Sequence, residues 1–328
     1  MKAWDIFYKN IFQNGIIVEN DKVILAVSGG IDSICMLHMF WRISKKINID
    51  FLVVNFNHSL RRESTKESDV VKEISVKLGI KYFIKKINVK KYSEVNSVSI
   101  ETAGRELRYS NLEKIAKKYG YNKIATAHNS NDNAETMLMW ILRGTGNFIG
   151  IPQKRELKND IFIIRPLLPV KRKLIEEYVI NHNLQFCIDN SNFLDIYTRN
   201  KIRLLIMPIF ESINPMFIEH VFNLTCIQNR ENIFLNKILA CCLKECIKSR
   251  KNCIFLDLKM FLQYNEAIRF RILKNILPQR KYNSRINFIM HNILLSTKIT
   301  FRLSSEWIFK MTLKKACFIK KNIINEGK

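Results

Sequence analysis

The chain holds 328 residues, 47% of them hydrophobic and 25% charged, which is enough apolar material for two or three packed domains and excludes a disordered or low-complexity protein. Its formal net charge is +25. Residues 217–328 hold 21 Lys and Arg against 7 Asp and Glu, a net +14; drift toward Lys in an AT-rich genome would supply part of this excess, and a polyanion, nucleic acid first, is the expected partner.

The opening residues, Met1-Lys2-Ala3-Trp4-Asp5, include an acid and no apolar core of signal-peptide type, and no stretch is long enough to span a bilayer. The expectation is a cytoplasmic protein with no membrane partner. Lys22 to Val27 is a continuous β-rich run of the buried parallel type, and Ile34 to Ile47 places Leu37, Phe40, Trp41 and Ile43 at helical intervals. Phe51 to Asn57 predicts a second strand, Ser64 to Leu78 a charged helix and Ile80 to Val89 a third strand. Lys90 to Val98 reads as a polar loop, Ile100 to Lys118 as a helix, Lys123 to Ala127 as a fourth strand and Asp132 to Leu142 as a fourth crossover helix. Strands alternating with helices of this length form βαβ units, so the fold class is α/β with a parallel sheet whose ligands bind beyond the strand C-termini.

Phe162 to Ile164 predicts a short strand that runs into Arg165-Pro166-Leu167-Leu168-Pro169, where two prolines predict an extended connector, and Arg172 to His182 predicts a helix. The α/β pattern ends at Ile206-Met207-Pro208 and Ile213-Asn214-Pro215, which sets a catalytic domain over 1–213 and a basic domain over 214–328. This smaller domain reads as mainly helical: a long helix from Phe217 to Ser249, shorter ones to Leu295, then short strands at Thr300 to Leu303, Trp307 to Leu313 and Ala316 to Lys320. Eight cysteines include no Cys-x-x-Cys pair, and the spacing of Cys241, Cys242 and Cys246 suits an apolar helix face.

Between the first strand and its helix lies Ser28-Gly29-Gly30-Ile31-Asp32-Ser33. Two glycines let the backbone turn sharply against a ligand, and the following helix offers unpaired N–H groups and a positive dipole end, a combination that binds anions and most often phosphate. The loop has neither the Gly-Lys-Ser/Thr ending of a Walker A loop nor the three-glycine dinucleotide fingerprint. The other polar clusters have ordinary explanations when taken singly. His58 reads as a surface histidine, Arg61 with Arg62 as a solvated turn, and Glu101, Arg105 and Arg108 as an ion-pair ladder on one helix face. Asp132 and Glu135, three apart, make either a cation site or solvated acids near a helix start.

The six-residue loop resembles the signature of the N-type ATP pyrophosphatases, or PP-loop superfamily. Behind it come Asn57-His58-Ser59-Leu60-Arg61, Ala103-Gly104-Arg105-Glu106-Leu107-Arg108-Tyr109, and Ala125-Thr126-Ala127-His128 leading to Asp132-Asn133-Ala134-Glu135-Thr136. Arg143-Gly144-Thr145-Gly146, Arg165-Pro166-Leu167-Leu168, and Asp189-Asn190-Ser191-Asn192 with Arg199-Asn200-Lys201-Ile202-Arg203 follow in order. Together these motifs resemble the tRNA(Ile)-lysidine synthase family over residues 20–210.

That resemblance implies an ATP-dependent carbon–nitrogen ligase that adenylates the wobble cytidine of the CAU-anticodon isoleucine tRNA, releases pyrophosphate, and lets free L-lysine displace AMP. The product, lysidine, reads AUA instead of AUG and changes the tRNA's identity from Met to Ile. By the same resemblance ATP is held by Ser28, Gly29, Gly30, Ile31, Asp32, Ser33, His58, Arg61, Arg143 and Gly144, with Asp32 the Mg²⁺ ligand. Asp32, Arg108 and Asp132 are the expected catalytic residues, Arg105, Arg108 and His128 the clamp on adenylate and RNA, and Asp132 with Glu135 the lysine site. A homodimer would suit a tRNA enzyme of this size.

The chain departs from the family pattern at Asn129 and Asn131, which stand where a second histidine and a second aspartate are usual, at Gly104, and in a shortened segment from Gly146 to Gly150. Its C-terminal region is also shorter than in long members. Alternative readings are another PP-loop tRNA-modifying enzyme such as a thiolase, or a nucleotide-dependent RNA-binding protein without catalysis.

Overall fold

A computed structural model of the chain describes residues 1–57, 63–144, 150–157, 160–188, 198–250, 252–277, 283–304, 307–312 and 315–320. Its packing separates two compact units, residues 1–229 and residues 230–328.

In the first unit, β1 (Lys22–Ala26) pairs in parallel with β2 (Asp50–Asn57) on one side and β4 (Lys123–Ala125) on the other. With β3 (Tyr82–Lys86), β5 (Lys154–Glu156) and β6 (Phe162–Ile164), the six-stranded order is β3-β2-β1-β4-β6-β5, and β5 is antiparallel. The alternation along β1 shows why both faces are covered. Val23 and Leu25 enter the core formed with α1 (Ala3–Gln13), α2 (Ile31–Ser44) and α7 (Arg172–Asn181), while Ile24 packs on the opposite face with Leu112, Ile115 and Ala116 of α5 (Ile100–Tyr119). Between β2 and β3 runs α3 (Glu63–Lys77), and α6 (Ser130–Leu142) follows β4.

Several sequence expectations are corrected here. Residues 90–98 are largely helical rather than a loop: α4 (Val89–Asn96) starts under the Asn88 side chain, which accepts from Lys91 N–H at 3.0 Å, and ends at Ser97 in the left-handed conformation with φ +51°. Capping and the burial of Val89 hold a helix whose polar surface hid its period. The Arg165–Pro169 connector is a set of tight turns instead of an extended arm, with Leu168 N–H donating to Arg165 O and Val170 N–H to Leu167 O. α8 (Thr198–Lys201), a π-helical turn (Ile202–Ile206) and α9 (Met207–Ile213) run on from one another, and Pro208 stands where the wider π turn, with Met207 N–H donating to Ile202 O, gives way to α9.

The division at Asn229/Arg230 falls inside α10 (Phe217–Cys246), which stops short of Ser249. In the second unit, β7 (Ile247–Arg250) and β8 (Cys253–Asp257), neither foreseen, join β9 (Ile299–Arg302), β10 (Trp307–Met311) and β11 (Lys315–Lys320) in an antiparallel sheet ordered β7-β8-β11-β10-β9. α11 (Leu258–Gln263), α12 (Glu266–Ile276) and α13 (Asn283–Leu294) supply its helices. Phe309, Phe318, Ile272, Leu273 and Ile289 centre its core; of the three cysteines expected on an apolar helix face, Cys242 and Cys246 are buried in it, while Cys241, one position round the helix, is exposed. Among the described residues, no helix is long and apolar enough to cross a membrane.

Candidate active site

The parallel strands of the first unit end at one edge, and the loops that leave them build a cavity of about 410 Å³. The chain turns out of β1 at Gly29, whose φ of +95° favours glycine and where an added Cβ would lie 3.0 Å from the Glu67 carbonyl of α3. Ser33, in the first turn of α2, braces the loop: its Oγ accepts from the N–H groups of Ser28 and Gly29, both at 3.2 Å, and donates to Gly30 O at 2.8 Å. From the other side, Cys187 N–H donates to Gly29 O at 2.9 Å. The amides of Ile31 and Asp32 open α2 and have no helical acceptor, which is the arrangement that receives an anion.

Ser28, Gly30, Asp32 and Ser33 line the cavity together with Arg108 and Tyr109 of α5, Thr126 and His128 after β4, Asp132 of α6, and Arg199 and Arg203. α5 contributes because it returns from the C-terminal edge of the sheet, so its first half lies there. α6 begins at Asn129, which caps it by accepting from Asp132 N–H while the Asp132 carboxylate accepts from Asn129 N–H, each at 3.0 Å. The same Asn129 donates through Nδ2 to Asp32 Oδ1 at 2.9 Å, and Asn131 Oδ1 accepts from Arg172 N–H at 3.0 Å. Both asparagines that depart from the family pattern are therefore wired into the site.

Asp32 is also bound by Arg172, whose Nη1 donates to Oδ2 at 3.0 Å. Burial pushes the Asp32 carboxyl up to about 6; Arg172 opposes that shift and the nearby Asp132 adds to it. Asp132 Oδ1 accepts from Arg199 Nη2 at 3.0 Å. Glu135, one turn further along α6 and 1% exposed, accepts from Arg199 Nε at 2.6 Å, Arg203 Nε at 2.7 Å and Arg203 Nη2 at 3.1 Å. Four residues apart on a helical run, the two arginines share a face and grip the two acids together. His128 joins Thr126 Oγ1 through Nδ1 at 3.0 Å; burial, followed by Arg165, Arg199, Arg108 and Arg105, holds it well below the usual histidine range, so the ring is neutral near pH 7.

The structure thus brings together Ser28, Gly30, Asp32, Ser33, Arg108, His128 and Asp132, while Gly29 and Ile31 shape the loop behind them. Glu135 lies behind the wall with both oxygens engaged, and Arg105 is exposed outside it. Arg143 and Gly144 are exposed at the far end of α6, about 16 Å of helix rise from Asp132, and are separated from the cavity because both ends of one helix cannot reach one site. His58, Arg61, the Asp189–Asn192 stretch and the 146–149 part of the shortened segment lie outside the described residues. Sequence reasoning missed Arg172 and gave no role to Tyr109, Thr126, Arg199 or Arg203. No spacing signal marks Arg172, since it meets Asp32 across 140 residues.

Residues 3–210 match the family model described as PP-loop domain. A tRNA(Ile)-lysidine synthase of Petrotoga mobilis is 40% identical over 220 residues, 66% of this chain and 69% of that one. The chain belongs to the tRNA(Ile)-lysidine synthase family of PP-loop proteins. Further relatives carry the same name: that of Clostridioides difficile is 37% identical over 277 residues, 83% of this chain and 59% of its own, and that of Thermosipho africanus is 42% identical over 211 residues, 64% and 49%. The chain spans 59% and 49% of the length of these two. Among solved structures, the U34-tRNA thiolase NcsA from Methanococcus maripaludis shares the fold, with a TM-score of 0.60 over 68% of this chain and 76% of that one at 17% identity.

Proposed function

We propose that the chain ligates lysine to the wobble cytidine of a CAU-anticodon isoleucine tRNA at the expense of ATP. The observation that carries this reading is the meeting of the Ser28–Ser33 turn, Arg108, His128 and Asp132 around one cavity, with family membership beside it. In the first step the cytidine O2 attacks the α-phosphorus of ATP, and the bond to pyrophosphate breaks. The α2 N-terminus with the Ser28 and Ser33 hydroxyls is offered to the departing pyrophosphate, and Arg108 to the charge that builds on the α-phosphate. A lysine amine then attacks C2, the C–O bond to AMP breaks, and the amine loses a proton.

Asp132 is the acid we assign to the lysine substrate, since it lines the cavity; Glu135 acts from behind it by anchoring Arg199 and Arg203. Neutral His128 can accept or donate a hydrogen bond without adding charge. Mg²⁺ fits the donor set, because Asp32 and Asp132 are hard oxygen ligands lining one cavity and burial together with the nearby Asp132 makes charge on Asp32 costly. When bound it would neutralise charge on the leaving pyrophosphate. Residues 230–328, with 21 Lys and Arg against 6 Asp and Glu, are assigned to tRNA binding; the sequence-based domain 214–328 includes them. His58, Arg61 and Arg105 remain with the ATP and RNA ligands as proposals from the family resemblance, whereas the place of Arg143 and Gly144 at the far end of α6 leaves them no part in holding ATP in this cavity. A cytoplasmic location and a homodimer belong to the same proposal.

Pyrophosphate release with transcribed isoleucine tRNA, run with and without lysine, tests the reading. Lysine-dependent formation of a lysine–tRNA adduct with stoichiometric AMP is the expected result. Turnover that ignores lysine would favour another tRNA-modifying chemistry, and RNA binding without turnover would favour a binding module.

A further inference from the structure

The arginines around the cavity fall into two kinds. Arg172, Arg199 and Arg203 each pair with a carboxylate. A second group gathers around Tyr109: the guanidinium carbons of Arg105, Arg108 and Arg155 lie 5.4, 5.8 and 5.8 Å from the centre of its ring. Arg165, 3% exposed, is close enough for Tyr109, Arg155 and Arg105 to act on its charge. Among the described residues, none of these four is within 4.0 Å of a carboxylate, as the ion pairs of the first unit all lie elsewhere. Like charges thus converge with no paired acid among the described residues. Burial pushes Arg108 and Arg165 down; Tyr109 opposes that shift, and the neighbouring guanidinia add to it.

Two polar atoms at this place are buried and without a hydrogen-bond partner among the described residues, Tyr109 Oη and Arg165 Nε. Arg165 Nη1 donates to Pro152 O and Arg165 lies near enough to Tyr109 for the hydroxyl to act on it as a hydrogen-bond partner, yet a hydroxyl that accepts from a guanidinium keeps its own proton to give, and that proton has no acceptor among the described residues. The cluster also extends away from the phosphate loop. Arg155 comes from β5, three places from β1 in the strand order, or about 14 Å across the sheet. A nucleotide whose phosphates sit on the β1 loop leaves this outer side open, whereas a polynucleotide entering the cavity with one base would carry its backbone past it. An aromatic ring flanked by arginines, with a hydroxyl at its edge, suits single-stranded RNA.

We propose that Arg105, Arg108, Arg155 and Arg165 around Tyr109 form a second anion site, which takes a phosphodiester of the RNA strand beside the nucleotide being modified. This inference rests on RNA being the substrate. The test uses the full chain, a labelled CAU anticodon stem-loop RNA followed by fluorescence anisotropy without ATP, and a fluorescent ATP analogue titrated in parallel. Arg155 is exposed, so Arg155→Ala leaves the core untouched. It is expected to weaken RNA binding about 5-fold near physiological salt and to reduce the slope of log K against log salt by about 0.7, the value for one single-strand phosphate contact. Affinity for the ATP analogue stays within about 2-fold, because the loop on β1 is unchanged. Tyr109→Phe, which keeps the ring and removes the hydroxyl, is expected to weaken RNA binding with the salt slope unchanged, since a neutral donor releases no counterion. RNA affinity and slope unaltered in Arg155→Ala would overturn the proposal, and so would a fall in ATP-analogue affinity with RNA binding intact. Failure of the unaltered chain to bind any RNA would remove the substrate itself, a different outcome from an Arg155→Ala variant that binds like its parent.

Discussion

Replacing Glu135 by alanine tests whether the acid pair of α6 is held by the arginines rather than free for substrate. The side chain is 2% exposed and accepts three guanidinium hydrogen bonds at 2.6, 2.7 and 3.1 Å. Bonds to charged groups contribute about 1.5–3 kcal/mol each, so three would sum to roughly 5–9 kcal/mol if nothing replaced them. Arg199 and Arg203 keep 33% and 28% of their side chains in water and both still reach Asp132, so much of that loss is recovered. Taking one partner from a buried ionic cluster costs about 3–5 kcal/mol, and the lower end, about 3 kcal/mol, applies here. For a unit of this size 1 kcal/mol moves Tm by about 2–4 °C, which predicts a fall of about 6–12 °C by calorimetry. With Glu135 gone, both guanidinia settle on Asp132, so KM for lysine should rise while affinity for tRNA stays the same. A change in Tm below about 2 °C would refute this reasoning, because it would mean the cluster does not hold the helix that follows Thr198.

Asp32→Asn should separate stability from activity. Its folded carboxyl titrates at about 6 against 3.8 for the free group, so the folded chain binds the extra proton, and stability falls as pH rises between those values. The variant should therefore be more stable than its parent at pH 7, no more stable below pH 3.8, and inactive in pyrophosphate release; equal destabilisation at both pH values, seen by thermal melting, would count against it. Gly29→Ala places a side chain at φ +95° and 3.0 Å from Glu67 O, and should lower stability by about 1–3 kcal/mol together with ATP affinity; a variant with unchanged nucleotide binding would show the turn to be dispensable. Asn131→Asp keeps the acceptor for Arg172 N–H and puts an acid in the first turn of α6, so melting should show it neutral or stabilised by about 0.5 kcal/mol.

What was legible in the sequence is local. The apolar run Lys22 to Val27, the glycine turn after it and the helical period beyond are set by neighbours a few residues apart, so strand, loop and helix could be read together and the α/β class followed from their repetition. Even the mistakes are local ones. α4 was hidden because a polar exposed helix has no apolar stripe, and β7 with β8 because a strand pair draws its stability from β11, far along the chain. The motif order also named the Ser28–Ser33 turn, Arg108, His128 and Asp132, which the structure brings to one cavity, without naming what they pair with.

Which charge meets which was decided only by the fold. Arg172 reaches Asp32 across 140 residues, Arg199 reaches Glu135 across 64, and Arg105, Arg108, Arg155 and Arg165 pair with no acid among the described residues although they look no different in the sequence. Hydrophobic periodicity is a property of the chain, because burial repeats with the geometry of one helix or strand. An ion pair acts over a few ångströms in space, so its existence waits for the sheet order and helix ends to bring two distant side chains together, and that is why only the tertiary structure put Asp132 on the cavity wall and Glu135 behind it between Arg199 and Arg203.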